Sequence, residues 1–276
     1  MALALSLMVE IFQNIRQLYD FVAPCQELAD HVEFFAETSL ARTRQHFGQA
    51  PIAVKMFASW TPTFYINLGP AYSIDLAHTR YQVKAHEDIL LLRNNTVARH
   101  NQPTDNIFTV KFYPGGLEAV LGISQVKLTN QLVPLKQILP TQLLGKMRQA
   151  LPFTERLDLM QSYLLSTYKR NKNKDHYLSV VREAIGEYQA SGLQLNTSAV
   201  AERLFVTSKT ITRYFNRVVG LAPKQYFALL RARTALTVFI ADPDNFVPFE
   251  YGYYDWSHFN KGVTNFTGQK LSGHER

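Results

Sequence analysis

Between Asn196 and Val218 two short apolar stripes of helical period stand on either side of a four-residue break, and this arrangement restricts the possible fold more than any other stretch of the chain. Val200, Ala201 and Leu204 recur at i, i+1 and i+4, and Ile211, Phe215 and Val218 at i, i+4 and i+7. Such spacing gathers side chains on one face of a helix with 3.6 residues per turn. Phe205-Val206-Thr207-Ser208 separates the two stripes, and Thr207 is placed to accept a hydrogen bond from a first-turn N–H of the second helix. Two helices joined by a turn of about 3–4 residues form a unit that can lay its second helix in a DNA major groove.

The charge distribution agrees. Residues 196–241 hold Arg203, Lys209, Arg213, Arg217, Lys224, Arg231 and Arg233 against Glu202 alone, so this segment can account for six of the net seven positive charges. A surface so loaded suits a polyanion. With Ile211 and Phe215 turned inward, Ser208, Lys209, Thr212, Arg213, Asn216 and Arg217 face outward. Arg213 can fork onto guanine O6 and N7, Thr212 can meet a base through its hydroxyl or its methyl, and Lys209 can reach a base or a phosphate. Arg203, Arg217 and Lys224 are suited to neutralising phosphates. The competing reading is a solvated basic face on an ordinary helical domain.

The run Ala201, Leu204-Phe205-Val206-Thr207, Ile211, Arg213 and Phe215, followed by Gly220-Leu221-Ala222-Pro223 with Tyr226, Arg231 and Ala235, resembles the first half of the DNA-binding domain of AraC-type (AraC/XylS) transcriptional regulators. Gly252-Tyr253-Tyr254-Asp255-Trp256-Ser257-His258-Phe259, ending in Phe266-Thr267-Gly268, resembles the second half, in the right order. The resemblance implies an all-α domain of two helix-turn-helix units joined by a long helix. Pro223 to Ala241 fits that helix, with Pro223 in its first turn and Asp242-Pro243-Asp244 ending it. It also implies double-stranded DNA as partner, RNA polymerase as a further partner in the case of an activator, and Trp256, Ser257, Asn260 and Lys261 as weaker contacts from the second unit.

The second unit departs from the family pattern. Pro248 falls where a helical alanine is usual, and a proline inside a helix costs about 3 kcal/mol, so the helix there is expected to be short or to begin at Pro248. Residues 242–276 carry three basic against five acidic side chains, which predicts weaker phosphate binding. The family's closing Gly-x-x-Pro reads Gly268-Gln269-Lys270-Leu271. His258 reads as a packing or capping residue beside Phe259 rather than a metal ligand.

A chain of 276 residues has room for two domains, each with its own core. Nine of the twelve prolines lie at or before Pro152 and none between Phe153 and Ala222, so a strand-and-turn half gives way to a helical one. The lone Cys25 excludes an internal disulfide and favours a reducing, cytoplasmic setting. The apolar start, MALALSLMVEIFQNIRQLY, is interrupted by Glu10 and Arg16 short of the about 20 residues that span a bilayer, so no membrane association is expected. It is expected to form an amphipathic helix.

From Ile52 to Phe112, short β-branched and aromatic runs alternate, as in Tyr81, Val83, Ala85 and in Phe108, Val110, Phe112, and predict six or more strands in a small barrel or sandwich. This half resembles the cupin-like sensor domain that precedes the DNA-binding domain in many AraC-type regulators. Trp60, Tyr65, Arg80, His100 and Phe112 are candidate lining for a small-molecule effector, with Arg80 or His100 meeting an anionic or hydroxylated group. Packing in the core is the competing role for the aromatic members. Metal-dependent cupin chemistry needs clustered histidines and a carboxylate. Only His78, His86 and Glu87 stand close together, without a His-x-His pair, so neither a metal, a cofactor nor enzymatic activity is expected.

The expected class is α+β. Residues 1–23 are read as a helix, 24–134 as the cupin-like barrel or sandwich, 135–167 as connecting helices suited to covering the barrel or pairing subunits in a homodimer, 168–175 as a linker, and 176–276 as the DNA-binding domain.

Overall fold

The computed structural model describes residues 17–76, 78–171 and 175–271, together with the backbone of 6–9, and divides the chain into two compact units, Met1–Asn173 and Lys174–Arg276. The first contains two sheets. An outer sheet has the order β1 (Ser6–Val9), β4 (Ile52–Met56), β9 (Val97–Asn101), β6 (Tyr72–Leu76) and β7 (Thr79–Val83). A middle sheet has the order β11 (Leu132–Pro134), β8 (Ile89–Leu92), β5 (Pro62–Asn67), β10 (Ile107–Phe112), β3 (Val32–Thr38) and β2 (Tyr19–Val22). Every pairing is antiparallel except β1 with β4.

Alternation along the strands fills two cores. Ile52, Val54, Met56, Ile74 and Val97 of the outer sheet meet Ala36, Tyr65, Leu91 and Ile107 of the middle one. On the opposite face of the middle sheet, Phe35, Phe64, Ile66, Phe108, Val110 and Phe112 pack under the helix layer through Leu117, Val120, Leu144, Met147, Met160 and Leu164. That layer comprises α2 (Gly116–Leu121), α3 (Thr141–Met147) and α4 (Phe153–Arg170); a short α1 (Leu40–Phe47) follows β3. Strand β5 is buried at all six positions because both its faces are covered, which is why it reads as a continuous run rather than an alternating one. Glu37 and Arg156 tie the middle sheet to α4 by a buried bidentate pair of 2.7 and 2.8 Å.

Of the two forms expected for the strand-rich half, the structure has the sandwich: among the described residues the two sheets pack face to face and no closed barrel forms. Two expectations change. Ser6–Val9 and Tyr19–Val22 are strands rather than parts of one amino-terminal helix, because ladder bonds to β4 and β3 outweigh a local helical pattern; 1–5 and 10–16 lie outside the described residues. The helix α4 runs to Arg170, so Tyr168–Arg170 are helical rather than linker, while 172–174 lie outside the described residues.

The second unit is built of α5 (His176–Ala190), α6 (Thr197–Arg203), α7 (Ser208–Val218), α8 (Pro223–Ala241), one 3-10 turn (Pro248–Tyr251) and α9 (Trp256–Thr267). Tyr188 of α5 stacks on Phe227 of α8 with centroids 4.2 Å apart, beside buried Val200, Ala201, Ile211 and Phe215. At the other end of α8, Phe239 meets Phe246, Trp256 and Phe259 in an aromatic cluster. The expected two helix pairs joined by a long helix are thus present, and the second begins at Pro248 as a single 3-10 turn.

Candidate nucleic-acid interface

The geometry of α7 follows from its sequence. Thr207 adopts extended backbone and its Oγ1 accepts from the Thr210 N–H at 3.1 Å, so the helix starts where the cap places it. Before it, Phe205 takes a left-handed φ of 55° and closes the turn, with its N–H donated to Glu202 O at 3.0 Å. Ile211, Phe215 and Val218 are fully buried. That fixes the rotation of the helix and leaves Ser208, Lys209, Arg213, Asn216 and Arg217 exposed, with Thr212 half-buried.

Several of these side chains are held in place. The Arg217 guanidinium lies 3.9 Å from the centroid of the Tyr177 ring, and Tyr177 donates its hydroxyl to Asp175 at 2.7 Å. Arg213 lies over Tyr214 at 5.1 Å. A guanidinium laid on an aromatic face is restricted in rotamer without losing its in-plane donors. Tyr177 and Tyr214 were not anticipated from sequence; the signal available was the aromatic pair His176-Tyr177 directly after the Asp175 cap of α5. Thr212 donates its hydroxyl to Ser208 O at 2.8 Å.

Other candidates are committed elsewhere. Arg203 pairs with Glu187 at 3.2 Å, so it must exchange a carboxylate for any phosphate it meets. Thr207 spends its oxygen on the cap. Lys224 is exposed in the first turn of α8, whose N-terminal N–H groups also favour an anion. Arg231 donates to Gly252 O at 3.0 Å and covers the Tyr253 ring, so it braces the second helix-turn-helix pair. Gly252 has a φ of 72°, and a Cβ there would come within 2.8 Å of Leu193 O, so both conformation and space demand glycine.

In the second helix-turn-helix pair Asp255 caps α9 by accepting from the His258 N–H at 2.7 Å. His258 Nδ1 accepts from the Tyr254 N–H and its ring stacks on Tyr254, the capping role expected for it. Trp256 packs against Phe239, Phe246 and Phe259, so its indole serves the core more than an interface. Ser257 and Lys261 are exposed and Asn260 is half-buried.

The five candidate ligand residues of the first unit do not converge. Register pairs Thr109 with Tyr65 and Val110 with Phe64, which puts Tyr65 on the inter-sheet face of the middle sheet and Phe112 on the helix face. Trp60 packs at the edge of the helix-side core. Arg80 and His100 both bind Asp75, at 2.7 and 2.6 Å, on the face of the outer sheet away from the inter-sheet core; hydrogen bonding from Arg80 holds the Asp75 carboxyl down at about 2. A sequence without register cannot tell these three places apart.

A cleft of about 450 Å³ lies instead at the edge of the sandwich, lined by Tyr81, Val83, Ile89, Asn130, Leu132 and Pro134 among others. Two buried carboxyls stand in the same unit: Asp88 and Asp105 are each pushed up to about 6 by burial. Asp88 nonetheless pairs with Arg148 and accepts from the Asn67 N–H. Among the described residues no group of three or more His, Cys, Asp or Glu is disposed to hold a metal ion, and no helix is long and apolar enough to cross a membrane.

No family model matches the chain, and no curated protein does. Solved structures align with it over most of its length. ToxT from Vibrio cholerae matches with TM-score 0.46 and 9% identity over 80% of this chain and 96% of that one. A wild-type ToxT with bound unsaturated fatty acid matches with TM-score 0.44 and 9% identity, covering 80% and 92%. The AraC-like transcriptional activator CuxR is another. It aligns with TM-score 0.27 and 10% identity over 73% of this chain and 81% of its own. At such scores the likeness decides neither the fold nor the function of this chain, and both rest on its own residues.

Proposed function

We propose that the chain is a sequence-specific DNA-binding transcription regulator of the AraC type, whose second unit reads duplex DNA and whose first unit responds to a small molecule or a partner protein. The observation that carries the reading is α7: a capped helix, rotated by three buried apolar residues, that presents Lys209, Arg213, Asn216 and Arg217 together at the end of a helix-turn-helix. Lys209 and Arg213, with Thr212, supply base contacts; Arg217 and Lys224 supply phosphate contacts, joined by Arg203 once it leaves Glu187. Ser257, Asn260 and Lys261 supply a weaker second contact. A homodimer and contact with RNA polymerase are compatible extensions of the same reading.

The test is selection of full-length protein on randomised duplex DNA, followed by sequencing and a salt titration of the winner. The expected product is an asymmetric motif with one strong and one weak half, bound with a steep salt dependence. Absence of enrichment at every salt concentration overturns the reading.

A further inference from the structure

Lys209, Arg213 and Arg217 follow one another at i, i+4 and i+8 along the exposed face of α7. Like charges one turn apart repel, and long side chains spread over many rotamers when nothing restrains them. A face of this kind gains from contacts that keep its arginines in line. The first turn of α5 supplies them. The Tyr177 ring lies 3.9 Å from the Arg217 guanidinium, and its centroid is 6.1 Å from that of Tyr214, over which Arg213 sits at 5.1 Å. His176 meets the Tyr214 ring edge to face at 6.3 Å. Neighbouring residues of a single turn thus support both arginines, one directly and one through Tyr214.

Tyr177 is anchored at its other end by an unusual use of a helix cap. Asp175 occupies the N-cap of α5, where an aspartate ordinarily accepts from a first-turn N–H. Its side chain makes no such bond. Instead its Oδ2 accepts from the Tyr177 hydroxyl at 2.7 Å, while the backbone closes the turn through the Leu178 N–H on Asp175 O at 2.9 Å. A cap of this type stabilises the helix; a bond to a ring hydroxyl fixes the tilt of the ring. The choice of partner therefore favours position over stability. The rest of α5 does not depend on it, since Val180, Val181, Ala184 and Tyr188 seat the helix in the core.

We propose that Asp175 and Tyr177 are positioning residues for DNA reading: Asp175 fixes the Tyr177 ring, and the ring holds Arg217 in its binding pose before the duplex arrives. An arginine ordered in advance loses less rotamer freedom on binding, and its in-plane N–H donors stay available to a phosphate. The inference rests on the DNA-binding branch of the proposed function and adds α5 to the two helices of the helix-turn-helix.

The test is competition binding of the full-length parent and its variants to the selected duplex, with a thermal unfolding curve for each protein. Y177L removes the ring and is expected to weaken the duplex about fivefold. Y177F keeps the ring and removes its anchor, with an expected loss of about twofold. Its thermal midpoint should equal or exceed the parent's, because the Asp175 carboxylate is released to cap α5. In an R217M background both changes should cost less than about 1.5-fold, since the arginine they release is gone. Parental affinity in both Tyr177 variants, the same losses in the R217M background, or a Y177F loss matched by a fall in its midpoint each overturns the proposal. A readout without DNA checks the placement itself: the δ-methylene protons of Arg217 should resonate upfield under the Tyr177 ring current, and Y177L should abolish that shift. A parent lacking the shift overturns the proposal whatever the DNA result. A parent that shows the shift and selects no duplex overturns the DNA-binding reading and the proposal with it; a parent that selects a duplex its Tyr177 variants bind equally well overturns the proposal alone.

Discussion

The two helix-turn-helix units share a plan and differ in what they present. The last helix of each pair is capped by a side-chain oxygen, Thr207 in one and Asp255 in the other, and both are rotated by buried apolar residues. The first turns four long polar side chains outward and lays two of its arginines on tyrosines. The second is entered from a single 3-10 turn, spends its tryptophan on an aromatic core, and leaves Lys261 as the exposed cation of α9. Helix geometry and surface charge are therefore separable: the two pairs share a plan and differ in the charge they expose.

Experiments can break this contrast or sharpen it. Gly252→Val should have the largest effect, since it forces a β-branched residue into left-handed backbone against Leu193 O; a loss of about 2–4 kcal/mol in unfolding free energy by denaturant titration is expected. If DNA binding by the first helix-turn-helix pair survives in that variant at low temperature, the two pairs are independent. Arg213→Ala should cost about 1–3 kcal/mol of DNA affinity and relax preference at one base position, measured by competition between selected and singly altered sites. Equal losses on cognate and scrambled DNA would reassign Arg213 to a phosphate. Thr207→Ala and Asp255→Ala should each cost about 1 kcal/mol of stability, because the two caps are alike in geometry; unequal thermal midpoints would show that the capping carboxylate gains from its helix terminus. Lys261→Ala should be the mildest, under about 0.5 kcal/mol in stability with a small fall in salt slope. A loss in DNA affinity as large as that of Arg213→Ala would abolish the asymmetry.

The carboxyl-terminal unit was readable because its determinants are local. Apolar stripes fix helix faces, Thr207 fixes a start, and Pro248 forces a short helix, all within a few residues of sequence. The amino-terminal unit was less readable because its determinants are pairings between distant strands. Ser6–Val9 is held by β4 some forty residues on, a bond partner no local pattern discloses. Tyr65 and Phe112 look equivalent as strand aromatics, yet the register of β5 with β10 sends them to opposite faces. The burial of Arg99 is hidden in the sequence for a related reason: nothing in VARHN says which neighbours will enclose it. A count of charge shows no partners either: Glu187 pairs with Arg203, and Gly252 O accepts from Arg231.

Strand β5 has a mechanical consequence. Tyr65 lines the inter-sheet interior while its neighbours Phe64 and Ile66 support the helices, so one pleated ribbon forms the wall of two rooms. Successive side chains on a strand are rigidly geared to opposite sides, and close-packed interiors transmit displacement rather than absorb it. A displacement of the Tyr65 ring in one core is therefore felt in the other, through Phe64 and Ile66.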